Sequence, residues 1–400
     1  MSNDTMTLWL DVLVNNTIVG DGPIPLISAS ITRLIDGSGQ FKADTYLDVK
    51  GRETVLAGRQ VKIWCDIEGT SRLMGEGYIS KVGISGGRLA ISGNDLMEAL
   101  KWSNTLLGYQ INGLTVQQAI SNLVRADGWT VNADATAADT TITLPFDGET
   151  TLKALLSVAE AAGVHVRVST DGNRIIDVGL FGESSGITVF DPNAGAGGDA
   201  WSGIIDGSPS IEEQADQIAT RILPKGGAFE SNPNVTLEDS TRTGISTTAG
   251  QSGTIYYVGD TAAEALYGIR YLYKTYPDIK PLSASGADRI AASNQLKDAA
   301  YADLQKVKVI RRNMKCKIRG LTTPLAPGDL VKVLYTGLIY QDDGSIWPGG
   351  AINENMYVNR VEEYAGEGGT WQNVDLSNVN GQRVDEATDT AIAIERSKKI

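Results

Sequence analysis

The sequence predicts a β-rich α+β chain of several domains: two similar small β-barrels, a linking α/β domain and a further α+β insertion. Three observations carry this. Short runs of alternating apolar and polar residues recur between turn signals at both ends of the chain. Helical stripes are confined to its middle. One linked pair of strand motifs near the start returns near the end. The predicted boundaries are 1–93 for the first barrel and 94–185 for the α/β domain. The second barrel is assigned 186–226 and 300–383, the insertion 227–299 and a C-terminal tail 384–400.

In the first barrel Leu8, Leu10, Val12 and Val14 alternate with Trp9, Asp11 and Leu13, the pattern of a half-buried strand. Further strands are expected at Ile24–Arg33, Phe41–Asp48, Gln60–Ile67, Leu73–Val82 and Arg88–Ser92. They are separated by glycine turns at Gly20-Asp21-Gly22-Pro23, Asp36-Gly37-Ser38-Gly39, Glu68-Gly69 and Gly86-Gly87. The 45 glycines of the 400-residue chain fit such a turn-rich fold.

The pattern changes at Asn94-Asp95, either of which can cap a helix reaching about Trp102. A second helix follows Thr115, with Val116, Ala119, Ile120, Leu123 and Val124 on one stripe. A third runs over Thr150–Ala162 and ends at Gly163. Val164, Val166 and Val168 then alternate as a strand, and Asp171-Gly172-Asn173 predicts a hairpin into Arg174–Val178. Gly186–Gly207 reads as a linker, and Ser210–Leu223 fits helix or strand. Residues 227–283 are polar and turn-rich, with tyrosines clustered at 256–257 and 267–276. Ser285–Val307 predicts a long helix burying Ile290, Leu296, Ala300, Leu304 and Val307. Strands resume from Val309 to Leu376, and Asp385–Lys399 is expected to form a short helix.

The internal echo is the most informative feature. Leu56-Ala57-Gly58-Arg59-Gln60-Val61-Lys62-Ile63 returns as Leu325-Ala326-Pro327-Gly328-Asp329-Leu330-Val331-Lys332-Val333. Tyr78-Ile79-Ser80-Lys81-Val82 returns as Tyr357-Val358-Asn359-Arg360-Val361, and extra residues around Gly344–Gly350 separate the two pieces of the second copy. Shared order and polarity predict a duplicated module. Three such chains in a ring would present six like modules, so a three-fold protein could seat against a six-fold tube.

These segments also carry a resemblance. The chain resembles the baseplate hub, or tail-tip hub, proteins of tailed phages and related injection machines, over nearly its whole length. The residues concerned are Leu56–Val82, Ser92-Gly93-Asn94-Asp95-Leu96 with Leu100, and Gly113-Leu114-Thr115-Val116. With them go Thr151–Gly163 and its valine strand, Ala219-Thr220-Arg221-Ile222-Leu223-Pro224-Lys225-Gly226, and Leu325–Val333 after a long helix. The resemblance implies a homotrimer beneath a ring of distal tail or tail tube protein, with a spike or fibre below. It also implies a channel that holds the tape-measure C-terminus and later passes DNA without binding it specifically. A virion location follows, and Met1-Ser2-Asn3-Asp4-Thr5 lacks the basic start and apolar core of a signal peptide.

Composition argues against most chemistry. A formal net charge of −13 does not suit a nucleic-acid-binding surface. One histidine and two distant cysteines, Cys65 and Cys316, make neither a disulfide framework nor a His/Cys metal site. Gly83-Ile84-Ser85-Gly86-Gly87 spells a nucleophile elbow, but it lies between two predicted strands, and the sole histidine, His165, sits in a valine-rich strand beside Arg167. Asp342-Asp343-Gly344-Ser345 and Asp171-Gly172-Asn173 are acidic turns that match no calcium loop, and the glycines at 195–198 lack a phosphate loop's Gly-Lys-Ser/Thr ending. No cofactor and no enzymatic activity are expected. The candidate assembly interface is a basic strand face made by Arg311, Lys315, Lys317 and Arg319, with Asn313 among them and Met314, Cys316 and Ile318 opposite. The alternatives are a receptor- or carbohydrate-binding tail protein and a wall-degrading tail enzyme.

Overall fold

The structure, a computed structural model, describes residues 6–169, 174–182, 184–190, 203–205, 208–215, 218–250, 253–319, 321, 324–336 and 351–379. The expected hairpin at 171–173, the glycines at 195–198, the acidic turn at 342–345 and the tail helix lie outside them.

The first β module comprises β1 (Met6–Val14), β2 (Thr17–Ile18), β3 (Ile24–Pro25), β4 (Ser28–Leu34), β5 (Gln40–Tyr46), β6 (Gln60–Ile67), β7 (Thr70–Ser85) and β8 (Arg88–Asp95). Leu8, Leu10 and Val12 are buried as their alternation predicts, whereas Val14, at the end of β1, is exposed. The single strand expected over Ile24–Arg33 is two, because the chain changes partner there. Leu26 N donates to Leu8 O of β1, and Ile27 N donates to Asp44 O of β5. That crossing completes a circle of neighbours, β1–β6–β7–β8–β5–β4–β3, around one apolar cluster that includes Leu10, Phe41, Val61, Ile63 and Ile79.

The α/β unit follows. Asp95 caps a short 3-10 helix, Leu96–Lys101, accepting from Met97 N at 3.0 Å. Next come β9 (Tyr109–Thr115), α1 (Val116–Val124), β10 (Thr130–Ala133), α2 (Ala135–Asp139), β11 (Thr141–Phe146), α3 (Thr151–Ala162), β12 (His165–Val168) and β13 (Ile175–Gly179). A reciprocal cap between Thr115 and Gln118 starts α1, and all five residues of its predicted stripe are buried. Gly163, in the left-handed region, ends α3.

The second β module opens with β14 (Ser184–Phe190) and β15 (Ser210–Gln214). The linker expected from Gly186 is therefore a strand as far as Phe190. An insertion follows, with β16 (Arg221–Gly226), β17 (Ser246–Gly250), β18 (Gly253–Gly259), α4 (Thr261–Tyr267), β19 (Tyr271–Tyr276) and α5 (Gly286–Val307). The module then resumes with β20 (Arg311–Ile318), β21 (Leu330–Tyr335), β22 (Ile352–Gly366) and β23 (Gly369–Ser377). The ambiguous segment Ser210–Leu223 thus holds parts of two strands in different sheets.

The boundaries expected at 226/227 and 299/300 both move. β16 pairs with β18 and β19 rather than with the second module, and α5 keeps Leu296, Ala300, Leu304 and Val307 against the insertion to its end. Burial of Ile222 among these residues holds β16 there. Ile290, predicted inward, is 39% exposed. Nor are the α/β unit and the insertion separate: α1, α3 and α5 contribute to one apolar cluster. Lys274 of β19 reaches Glu160 of α3 at 3.0 Å and Asp303 of α5 at 2.6 Å.

Candidate assembly interface

The echo seen in the sequence is an echo in register. Gln60 pairs with Tyr78 and Val61 with Gly77, and in the second module Leu330 pairs with Tyr357 and Val331 with Met356. Gly58 N donates to Ile79 O at 2.7 Å, and Ile79 N to Arg59 O at 2.9 Å. In the second copy Gly328 N donates to Val358 O at 2.6 Å, and Val358 N to Asp329 O at 2.9 Å. Both turn glycines have positive φ, 85° and 94°. The ladder to the next strand slips by one residue at the same place, at Ser80 between Ile79 and Lys81 and at Asn359 between Val358 and Arg360. Carrying the pairing outward matches β4 with β15, β5 with β20, β6 with β21, β7 with β22 and β8 with β23. The insertion occupies the place of the short β4–β5 turn.

The two modules join edge to edge. β4 pairs with β22 from Leu34↔Arg360 to Ala29↔Ala365, so one fourteen-stranded sheet runs through both. Glu363 is buried in this junction, 2% exposed. Arg33 of β4 reaches it at 3.1 Å and Arg72 of β7 also bonds it, so its charge is compensated from two strands. Sequence reasoning missed this group. Its only signal was a carboxylate two residues beyond Val361, on the side of a predicted strand that should be apolar.

Strand β12 of the α/β unit braces both modules. His165 Nδ1 lies 2.6 Å from Asp36 Oδ2, and Val166 N donates to Asp36 Oδ1 at 2.9 Å, at the β4–β5 turn. Two residues on, Arg167 donates to the carbonyl of Pro327, lies 3.3 Å from Asp329 and stacks over the Phe181 ring, at the Gly328 turn. Alternation places both side chains on one face. The one histidine is thus a structural clasp.

The basic strand is β20. Met314, Cys316 and Ile318 are buried and Lys315 is exposed, as alternation predicts. The rest of the charged face is partly engaged within the chain. Lys317 Nζ sits 3.6 Å from the Trp371 ring centre, and Arg319 packs over the same ring and donates to Gly368 O. Arg311 bonds Asn313 at 3.1 Å. Partial burial, then Arg319 beside it, lowers the pKa of Lys317. Arg312, on the opposite side, is paired with Glu213 and Glu354, both at 2.7 Å.

The Gly-x-Ser-x-Gly run forms the β7–β8 hairpin, with Gly86 and Gly87 both at positive φ. Cys65 and Cys316 are unpaired and buried. Among the described residues no three His, Cys, Asp or Glu side chains gather as metal ligands, and no helix is long and apolar enough to cross a membrane.

No family model and no curated protein matches the sequence. Solved structures do match the fold. The chain is similar to the 43 kDa tail protein of prophage MuSo2 from Shewanella oneidensis, at 16% identity and a TM-score of 0.57, over 93% of this chain and 98% of that one. A tail protein from Neisseria meningitidis MC58 gives 16% identity and 0.57, over 93% and 96%. The prophage tail protein gp18 from Listeria monocytogenes EGD-e gives 11% identity and 0.58, over 98% and 99%. The fold is that of phage tail proteins.

Proposed function

We propose that the chain is the structural hub of a phage tail tip or baseplate. In this reading both β modules are tube-like barrels, and three chains form a ring of six. The ring seats the six-fold tail tube or distal tail ring above and a three-fold tip below, and lines the channel through which DNA leaves. The tape-measure C-terminus would end within it, and a spike or fibre would attach beneath. The observation that supports this most is the equal register of β6–β8 and β21–β23, because two like modules let a three-fold ring meet a six-fold one. The tail-protein fold supports a virion location and a structural, non-enzymatic role.

The face of Arg311, Lys315, Lys317 and Arg319 is proposed to dock on an acidic neighbour in the assembly. Lys315→Glu with Lys317→Glu should then weaken incorporation into tail particles at least tenfold. Lys317→Glu also gives up its contact with the Trp371 ring, so Lys315→Glu alone is the variant that should weaken incorporation while leaving the oligomeric state and thermal melt of the free chain unchanged. Electron microscopy of purified particles, with the chain located by a fused tag, tests the hub reading itself. Density three-fold at the tip and six-fold above it is the expected result. Density confined to peripheral fibres would overturn the reading.

A further inference from the structure

The duplicated modules leave two half-edges that match the junction already made inside the chain. On the side where β6 pairs with β7 up to Tyr78, residues 80–85 of β7 have no strand partner among the described residues. The same half of β22 is the half that β4 covers. Likewise β15, the counterpart of β4, pairs with β20 on one side and with no described strand on the other. Each chain thus contains one closed junction and the two halves of a second.

We propose that β15 of one copy of this chain pairs antiparallel with residues 81–85 of β7 in the next copy, reproducing the β4–β22 junction head to tail. This rests on the hub reading and names the contact that builds its ring. Transferring the observed register gives Lys81 opposite Gln214, Val82 opposite Glu213, Gly83 opposite Glu212, Ile84 opposite Ile211 and Ser85 opposite Ser210. Two independent features agree with it. Ile84 is 72% exposed, although its counterpart Glu363 is buried in the internal junction, so a partner strand accounts for an apolar side chain left in water. Charge is complementary as well: Lys81, exposed on β7, falls diagonal to Glu212, exposed on β15. The contact is heterologous, so it closes only as a ring. It also caps two edges that would otherwise invite uncontrolled strand addition.

Cross-linking tests this directly. Lys81→Cys and Gln214→Cys are prepared as separate variants, mixed and treated with a short bismaleimide. The native thiols of Cys65 and Cys316 do not compete, being buried, with pKa values pushed up by that burial. The expected result is a two-chain band from the mixture and from neither variant alone. The double variant should give a ladder that stops at three chains. If light scattering shows three-chain particles but no band forms, the proposed contact is wrong while the hub reading stands. If the chain remains monomeric at every concentration, both fall. A second measurement does not depend on cysteine chemistry. Ile84→Asp should keep the wild-type melting temperature in the dilute chain and weaken self-association at least tenfold. An unchanged association constant overturns the proposal.

Discussion

The two β modules share five strands in one register, yet they fill their cores differently. In the first, Phe41 of β5 lies opposite Gly93 of β8, and a side chain added at Gly93 would meet the Phe41 ring at 2.5 Å. In the second, the equivalent pair is Met314 opposite Leu376. A large and a null residue have been replaced by two of middle size. Two strands beyond β8, Cys65 near the end of β6 corresponds to Tyr335 at the end of β21, and both are buried. Volume is traded between neighbours while the hydrogen-bonded frame stays fixed, as cores of conserved total volume allow. The lesson is that backbone pairing, turn glycines and the one-residue slip define this module, and side-chain identity does not.

The junction offers the sharpest way to break that comparison. Glu363 and Ile84 occupy equivalent places, one buried between modules and one exposed. Glu363→Ala leaves Arg33 and Arg72 facing an empty site in the sheet. Its expected cost is about 3–5 kcal/mol, that of breaking a buried ion pair by removing one partner. Ile84→Ala in the dissociated chain should cost no more than about 0.5 kcal/mol, as for ordinary surface positions. Urea unfolding of the two variants at equal concentration measures the difference. Similar losses would mean that the ion pairs of Glu363 with Arg33 and Arg72 do not hold the internal junction.

The turn glycines sharpen the comparison at smaller scale. Gly58 and Gly328 share a left-handed backbone and the same hydrogen bonds, but their surroundings differ. A Cβ added at Gly58 meets nothing within 4 Å, whereas one at Gly328 meets Phe181 Cβ at 2.9 Å. Gly58→Ala should cost about 1–2 kcal/mol for the backbone alone. Gly328→Ala should cost roughly 1–3 kcal/mol more, since the obstructing atom is next to the Phe181 backbone and cannot swing aside. Chemical denaturation of both variants checks this, and equal losses would remove Phe181 from the account.

Much of this architecture was legible in the chain, for reasons that also explain what was not. Local signals survived: Thr115 with Gln118, Thr150 with Gly163, and the turn glycines all rest on residues a few positions apart. The echo was readable because Gly58 and Gly328, Lys62 and Lys332, and Tyr78 and Tyr357 were kept at both copies. Pairing between distant segments left no such trace. β14 ends in Ile187-Thr188-Val189-Phe190, an ordinary strand signal, but it is short and runs straight into a glycine-rich stretch, and its parallel pairing with the distant β21 leaves no trace in the local sequence. β16 was assigned to the wrong unit because a short apolar strand does not announce which sheet it will join. The basic face of β20 followed from alternation, but Trp371 beneath Lys317 and Arg319 lies 50 or more residues away. The clasp of His165 and Arg167 on two turns is likewise a product of tertiary structure alone.

The smallest expected effect concerns how regions answer to acid, and here the first β module and the insertion should differ in sign. In the insertion Arg221 grips Glu264 through two hydrogen bonds of 2.8 Å, and Lys308 holds Asp260 at 2.8 Å. These bonds, with backbone N–H bonds to Asp260, hold both carboxyls below their ordinary values. A depressed carboxyl contributes stability that is complete above its unfolded pKa, about 4, and is lost as pH falls through the lower folded value. At the end of β8 the opposite holds. Burial pushes Asp95 up, despite hydrogen bonds from Gly39 N, Ser38 Oγ and Met97 N. A raised carboxyl favours the folded state most when protonated, and that contribution fades as pH rises through its folded pKa. Acidification from pH 5 to about 3 should therefore loosen the insertion before the β7–β8 ladder. Amide exchange, corrected for its intrinsic pH dependence, should show protection falling first at β16, β18 and α4. Glu264→Gln should remove part of that acid response, because the variant has no carboxyl there to titrate. If protection falls first in β8, these carboxyls do not set the order in which the regions open.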